Sequence, residues 1–233
     1  MEQFILNYLT NLGYLVMPVM AIVVGHNILL RLFGRMIGDN TVTRFVYYVL
    51  GIVGVPLHEI SHAFTAWLFG HKVTQVKLYG VGEGGLSGHV LHSWNPRSIY
   101  QRQGLFWIGI SPLIVTILAV NMIVDTPVEL GPLEGWRSVA WYELLAVGMV
   151  AFYCIPSIAD LKNAVKGAVV VALVAPILML MAPYVGFVGM EKIVAKYWSC
   201  LWGVLLFSMS GWLIFINLSL LEIGIKKTYR LFW

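Results

Sequence analysis

Charged residues are scarce in this chain, since Asp, Glu, Lys and Arg make up only 11% of its 233 residues. A soluble domain carries about 25% of such residues, so the composition excludes an ordinary soluble protein. Hydrophobic residues account for 59% of the chain, and its mean hydropathy is +0.82. These values indicate a polytopic membrane protein, whose helices cross the bilayer with about 20 apolar residues each.

Cysteine and aspartate are also rare. Cys154 and Cys200 both lie in apolar stretches, so they form neither a disulfide framework nor a cysteine metal pair. The three aspartates are Asp39, Asp125 and Asp160. The net charge of +4 bears on membrane orientation and on contact with anionic lipid. Because basic and aromatic residues do not cluster together, we expect no nucleic-acid partner.

Six apolar segments are long enough to cross a bilayer, and short polar segments connect them. We therefore predict an all-α polytopic membrane protein with about six transmembrane helices, forming one membrane-embedded domain over residues 1–233. The predicted spans are about 14–33, 45–70, 104–124, 139–158, 164–184 and 197–223.

The segment between the second and third spans is polar and rich in glycine. Residues 72–92 show strand-like alternation around the run GVGEGG, which predicts a small β-hairpin. His71, His89 and His92 lie in this region and are expected to be solvated loop histidines. In the first span, His26 and Asn27 are expected to bond to a neighbouring helix and not to bind metal.

Basic residues predict the orientation in the membrane. Six spans place both termini on one side, which then carries nine basic residues against six on the other. Lys226, Lys227 and Arg230 of the C-terminal tail contribute to the larger number. The positive-inside rule therefore predicts that both termini lie in the cytoplasm. The expected location is a prokaryotic cell membrane.

The pattern that carries chemistry is H-E-x-x-H at residues 58–62, inside the second apolar segment. On a helix, His58 and His62 lie on one face, so both imidazoles can reach one metal ion, with Glu59 beside it as a general base. Ionisable residues are costly in hydrocarbon and indicate a functional site. The alternative is a pair of structural histidines that bond neighbouring helices.

A catalytic zinc ion needs three protein ligands and one open position, so a third ligand must come from elsewhere. Asp160 is the candidate, because it follows Pro156 at the predicted end of the fourth span, and proline can break the helix there. Asp160 could instead be an ordinary helix-end residue that pairs with Lys162. Glu143, near the start of the fourth span, is the rival ligand.

These residues resemble the site-2 protease group of intramembrane zinc metalloproteases. Members of that group have a six-span core with H-E-x-x-H in the second span, a zinc-binding aspartate in the fourth, and a β-hairpin region after the second. The stretch 109–112, Gly-Ile-Ser-Pro, resembles their small-residue segment in the third span. The resemblance implies that His58, His62 and Asp160 bind one zinc ion per chain and that Glu59 is catalytic.

The second motif of that group differs here. It reads N-x-x-P followed by L-D-G, whereas this chain has Tyr153 three residues before Pro156 and Leu161 after the aspartate. The chain therefore resembles a divergent member. The family's asparagine acts in substrate handling, and Asn121 or Asn163 could take that role; Asn121 is the candidate substrate-binding residue.

The function implied by the resemblance is hydrolysis of peptide bonds in membrane-spanning or membrane-proximal substrates, as in regulated intramembrane proteolysis. The implied partners are the lipid bilayer, a membrane protein or peptide substrate, and a possible regulatory membrane partner. One alternative is a non-proteolytic membrane partner, a chaperone or immunity-type protein, that retains the zinc fold. A metal-ion transporter, whose helices also carry intramembrane His and Asp, is a further alternative.

The zinc assignment predicts a simple measurement on the purified protein. Wild-type protein should hold about one zinc ion per chain, and Asp160→Ala should lower that content sharply, because two histidines alone leave the ion under-coordinated. Metal content is read by elemental analysis after dialysis. Unchanged zinc in Asp160→Ala would remove Asp160 from the site and return Glu143 to consideration.

Overall fold

The computed structural model describes residues 2–82, 85–123, 140–181 and 190–232. Within these residues the helices are α1 Glu2–Asp39, α2 Thr41–Leu68, α3 Ile99–Ile123, α4 Trp141–Tyr153, α5 Ile158–Met181 and α6 Met190–Phe232. The strands are β1 Lys72–Lys77, β2 Val81–Gly82, β3 Gly85–Leu86 and β4 His89–Ser93. Each predicted span overlaps one of these helices.

The protein is a helical chain whose described residues contain four segments long and apolar enough to cross a membrane. They are Val19–Asp39, Thr41–Leu68, Ile99–Ile123 and Gly203–Tyr229. The helix α4 and the first part of α5 pass the same test only as a pair, and they are bent by 67° at their junction. The described residues thus support four spans, or five if the bent pair counts as one, where six were predicted.

The bend follows from the residues between α4 and α5. The last turn of α4 closes where the backbone N–H of Cys154 donates to the carbonyl of Val150. Pro156 follows and has no N–H with which to continue the helix. The predicted fourth span ran to residue 158 and placed Asp160 at its end, whereas the structure places Asp160 in the first turn of α5.

The end of α6 lies beside the turn between α1 and α2. The Glu222 carboxylate accepts from the backbone N–H groups of Val42 and Thr43 at 3.1 and 3.2 Å, and Lys226 donates to Asn40 Oδ1. The helix α1 ends at this turn, so the end of α6 contacts the start of α2 there.

Among the described residues the core contains three apolar clusters, and the end of α4 contributes residues to the two larger ones. One cluster contains Ile22, Val23, Leu113, Ala151, Ile155, Leu201 and Val204. The other contains Ile37, Phe152, Tyr153, Trp212 and Phe215. Tyr153 packs closely on α2 at Gly54, where an added Cβ would lie 2.5 Å from the Tyr153 Cβ. Gly54 thus allows α4 to approach α2 just before the H-E-x-x-H segment.

The predicted β-hairpin is present as two short antiparallel ladders, β1 with β4 and β2 with β3. The β2–β3 ladder lies along α2. The hydroxyl of Tyr79 donates to the carbonyl of Tyr48 at 2.7 Å, and Leu86 occupies the space beside Gly51. Further along, the hairpin reaches Glu59. Residues 48 and 59 lie roughly 16 Å apart along a helix axis, so the hairpin covers a long stretch of α2.

Gly109 governs how closely α5 approaches α3. A Cβ at position 109 would meet the carbonyl oxygen of Asp160 and lie 2.7 Å from the Cβ of Ala164. We predict that Gly109→Ala pushes the start of α5 outward, lowers the free energy of unfolding by roughly 1–3 kcal/mol and reduces metal binding. Thermal unfolding in detergent and metal content measure the two effects.

Gly25→Ala in α1 is the matched control, because no atom lies within 4 Å of a Cβ built there. It should unfold at the same temperature as the wild type or slightly above it, since alanine favours helix over glycine. An equal loss of stability in both variants would contradict the packing explanation.

Candidate metal centre

Three side chains from α2 and α5 converge on one point. His58 and His62 are one turn apart, and their Nε2 atoms are 3.0 Å apart. Asp160 Oδ1 lies 3.2 Å from His62 Nε2, and Asp160 Oδ2 lies 3.5 Å from His58 Nε2. One ligand atom from each residue lies within 4.8 Å of the other two, so the group could hold a metal ion.

The spacing of these atoms fits a tetrahedral ion. Zinc binds histidine nitrogen and carboxylate oxygen at about 2.0–2.2 Å, so two ligand atoms at the corners of a tetrahedron lie roughly 3.3–3.5 Å apart. The 3.0 Å between the two Nε2 atoms and the 3.2 Å between His62 Nε2 and Asp160 Oδ1 are slightly shorter than this value. The side chains are 7–17% exposed, so the site is mostly enclosed.

The proton on His62 can be assigned from its second contact. His62 Nδ1 lies 2.8 Å from the carbonyl oxygen of Ile108, and a carbonyl only accepts, so Nδ1 carries the hydrogen. In the neutral ring, Nε2 then offers a lone pair to Asp160 Oδ1, which is also an acceptor. Two acceptors 3.2 Å apart need a positive charge between them, either a proton on Nε2 or a metal ion. A metal ion satisfies this requirement, and the Ile108 contact is the outer bond that metal-binding histidines usually make.

A small hydroxyl network ties α2 to α3 at the same level. Ser61 Oγ donates to the carbonyl of His58 at 2.6 Å and lies 3.2 Å from Ser111 Oγ. Ser111 Oγ donates in turn to the carbonyl of Ile108 at 2.8 Å. The sequence drew attention to residues 109–112 only through a resemblance. The structure shows that Ser111 and the Ile108 carbonyl support His62.

The histidine and asparagine of α1 bond to neighbouring elements, as predicted. The indole N–H of Trp212 donates to His26 Nδ1 at 3.2 Å, and Ser208 Oγ lies at the same distance from that atom. Asn27 Nδ2 donates to the carbonyl of Pro156 at 3.1 Å. These contacts connect α1 to α6 and to the break before α5. The Asn27 contact thereby holds the segment that leads to the third ligand.

Asp160 combines the two roles that the sequence left as alternatives. Ser157 is the N-cap of α5, and both its N–H and its hydroxyl donate to Asp160 Oδ2 at 2.7 Å. The same carboxylate faces the two histidines, whereas Lys162 is exposed. The rival ligand Glu143 accepts from the N–H of Ala140 at 3.0 Å and so caps the start of α4.

Glu59 lies next to the three ligand residues and under the hairpin. It directly follows His58 on α2, and the residue is only 7% exposed. The backbone of Gly88 passes directly over the carboxylate, where a Cβ would lie 2.7 Å from Oε1. The predicted general base is therefore beside the candidate metal centre, with the hairpin as its cover.

The predicted substrate-binding asparagine lies away from this group. Asn121 donates to the carbonyl of Ile117 in its own helix, ten residues beyond Ser111, which is roughly 15 Å along a helix axis. Asn163, the other candidate, accepts from Lys166 at an exposed position of α5. The structure thus brings together His58, Glu59, His62 and Asp160 but neither asparagine.

His71 was expected to be solvated, and that prediction is wrong. His71 is 5% exposed, and its Nε2–H donates to the carbonyl of Gln101 at 2.7 Å. Its Nδ1 therefore accepts from His92 Nδ1 at 3.0 Å. Burial lowers the pKa of His92, and the neighbouring His71 lowers it further. The pair joins the end of α2 to β4 and α3, a contact that only strand pairing creates.

Comparisons with known proteins add no family to this description. No family model, curated protein or solved structure matches the chain. The fold and the site define the protein as a helical chain compatible with an integral membrane protein, in which two histidines and one aspartate could hold a metal ion.

The contact between Gly88 and Glu59 predicts the effect of one added methyl group. In Gly88→Ala, the Cβ would lie 2.5 Å from Glu59 Cγ, so the hairpin must move away from α2. We expect faster amide hydrogen exchange and faster proteolysis within residues 72–93, with metal content unchanged. Gly82→Ala in the same hairpin is the control, because no atom lies within 4 Å of its Cβ. Equal exchange in both variants would contradict the predicted contact.

Proposed function

We propose that the chain is a membrane-embedded zinc endopeptidase that hydrolyses peptide bonds of membrane-spanning or membrane-proximal substrates. The observation that carries the proposal is a buried glutamate beside a two-histidine, one-aspartate centre. His58, His62 and Asp160 supply three ligand atoms that lie within 4.8 Å of one another. Glu59 supplies the proton acceptor that hydrolysis needs. The resemblance to the site-2 protease group points to the same activity.

Zinc is the metal that this donor set favours. Two imidazole nitrogens and one carboxylate oxygen form a mixed N/O set, and catalytic zinc sites commonly have three such protein ligands with one position open. When bound, one zinc ion per chain would supply Lewis acidity, which lowers the pKa of a water molecule to about 7 and polarises a carbonyl group. His58, His62 and Asp160 hold the ion, and the Ile108 carbonyl keeps His62 in the required tautomer.

Glu59 carries the proton in this reaction. Its carboxylate takes a proton from the attacking water and returns it to the nitrogen that leaves when the peptide bond breaks. Enclosure by the hairpin and α2 leaves Glu59 7% exposed, which limits competing access by bulk water. His58 and His62 cannot serve as this base while their Nε2 atoms bind metal, so the proton transfer depends on Glu59.

The hairpin offers a way to hold an unwound substrate. His58 lies ten residues before the end of α2, roughly 15 Å along the helix axis, so the cleavage site lies well inside the bundle. A substrate helix must unwind there, and its freed backbone groups need partners. The strand β1 is mostly exposed, and among the described residues it pairs on one side only, with β4. An extended substrate segment can pair with its open edge.

The cellular setting is part of the same proposal. Four or five apolar helices suit an integral, multi-pass membrane protein, and we place it in a prokaryotic cell membrane with the hairpin end of the bundle toward the cytoplasm. Lys72, Lys77, Arg97 and Arg102 lie at the hairpin end of the bundle, and basic residues are enriched on the cytoplasmic side of membrane proteins. Its partners are the bilayer, a membrane protein or peptide substrate, and a regulatory membrane protein.

Glu59→Gln tests the function in proteoliposomes that contain candidate transmembrane substrates. The variant should retain its metal, because glutamine has nearly the same shape and Glu59 is not a ligand. It should lose peptide cleavage by about 10²–10⁴-fold, the usual contribution of a general base. Glu143→Gln is the matched control, since its amide oxygen can still accept from the N–H of Ala140 and α4 stays capped.

The outcomes separate the competing classes of protein. A biological effect that persists in Glu59→Gln would reject the protease and favour the non-proteolytic partner. Metal flux across the proteoliposome membrane without any cleavage would favour the transporter. A transporter gains nothing from a glutamate between two ligand histidines, so the buried position of Glu59 is the observation that favours hydrolysis over transport.

A further inference from the structure

We propose that Ser157 fixes Asp160 as a one-oxygen metal ligand that binds through Oδ1. The inference rests on the proposed zinc centre and adds a positioning residue to it. Ser157 lies at the break between α4 and α5, three residues before Asp160, and it touches neither histidine ligand nor Glu59 in any described hydrogen bond. Its role is therefore to act through Asp160.

The argument begins with the lone pairs of the carboxylate. An ionised carboxylate has about four acceptor sites, two on each oxygen. Asp160 Oδ2 accepts from the backbone N–H of Ser157 and from its hydroxyl, both at 2.7 Å. These two donors use both acceptor sites of Oδ2. The 3.5 Å approach of Oδ2 to His58 Nε2 is then an electrostatic contact, and no lone pair remains there for a metal ion.

The other carboxylate oxygen is left for the ion. Asp160 Oδ1 lies 3.2 Å from His62 Nε2, whose lone pair points to the same place because His62 Nδ1 donates to Ile108. One oxygen and two nitrogens make three ligand atoms, which leaves a fourth tetrahedral position open for a water molecule. A carboxylate bound through both oxygens would crowd that position.

The serine itself is held by its surroundings. Its hydroxyl donates to Oδ2 and accepts from the N–H of Asp160 at 3.2 Å, so hydroxyl and carboxylate satisfy each other as in a capping box. The preceding residues are fixed from two other helices. Asn27 donates to the carbonyl of Pro156, and the thiol of Cys154 donates to the carbonyl of Gly54. The break thus forms a rigid support for the ligand.

A helix-capping role alone must be separated from this positioning role. Glycine is tolerated at an N-cap nearly as well as serine, whereas alanine is not. Ser157→Gly therefore keeps α5 but removes the hydroxyl, and Ser157→Ala removes both the cap and the hydroxyl. Ser157→Thr keeps both. Ser219→Ala in α6 is the matched control, because it deletes a buried hydroxyl that has no hydrogen-bond partner among the described residues.

The experiment measures zinc affinity of the full-length protein in detergent by competition with a chelator. The visible absorption of the cobalt-substituted protein reports the coordination geometry. Ser157→Gly and Ser157→Ala should both bind zinc about tenfold or more weakly, the usual effect of losing an outer partner, with an altered cobalt spectrum. Ser157→Thr and Ser219→Ala should stay within about threefold of wild type and keep its spectrum.

Three results would overturn the inference. They are wild-type affinity and spectrum in Ser157→Gly, an equal loss in Ser157→Thr, or an equal loss in Ser219→Ala. Failure of the proposed function looks different. A wild-type protein that binds zinc and cleaves no peptide would reject the protease, while the ranking of the Ser157 variants would still support the positioning role.

Discussion

The convergence of one carboxylate with two imidazoles inside an apolar bundle is the interaction on which the rest of the structure depends. Such groups are costly in hydrocarbon unless each is paired, so the surrounding helices must bring partners to them. The Ile108 carbonyl accepts from His62, and Ser157 donates to Asp160. A metal ion would be bound by all three ligand residues. The helix break, the small residues of α3 and the hairpin over Glu59 all follow from assembling these groups in one place.

The residues of the H-E-x-x-H motif could be read directly from the sequence, because their spacing matches one helical turn. Asp160 could be selected because so few carboxylates lie in apolar segments. The groups that form hydrogen bonds with the ligand residues could not be predicted. The Ile108 carbonyl is a backbone group without a sequence signal, and nothing in the sequence showed that the Ser157 hydroxyl faces Asp160. Asn121 was selected by analogy with the asparagine of the N-x-x-P motif. Nothing in the sequence indicated how far it lies from the site.

The helices and the hairpin could be predicted from hydropathy and alternation, but the number of crossings could not. Hydropathy locates apolar segments, whereas the bend at Pro156 decides whether two of them make one crossing or two. The contact between Glu222 and the start of α2 could not be predicted either, because it joins residues about 180 positions apart. The burial of His71 has a similar origin, since it depends on how β4 pairs with β1.

The ligands come from parts of the chain about a hundred residues apart, His58 and His62 on α2 and Asp160 on α5. During biosynthesis, α2 and the hairpin enter the membrane well before α5 exists. The two histidines then lack their carboxylate partner, and the nascent protein has no complete metal centre. A metal ion held by these three residues would thus bind late in biogenesis, and an incompletely inserted chain would lack the centre on which the proposed hydrolysis depends.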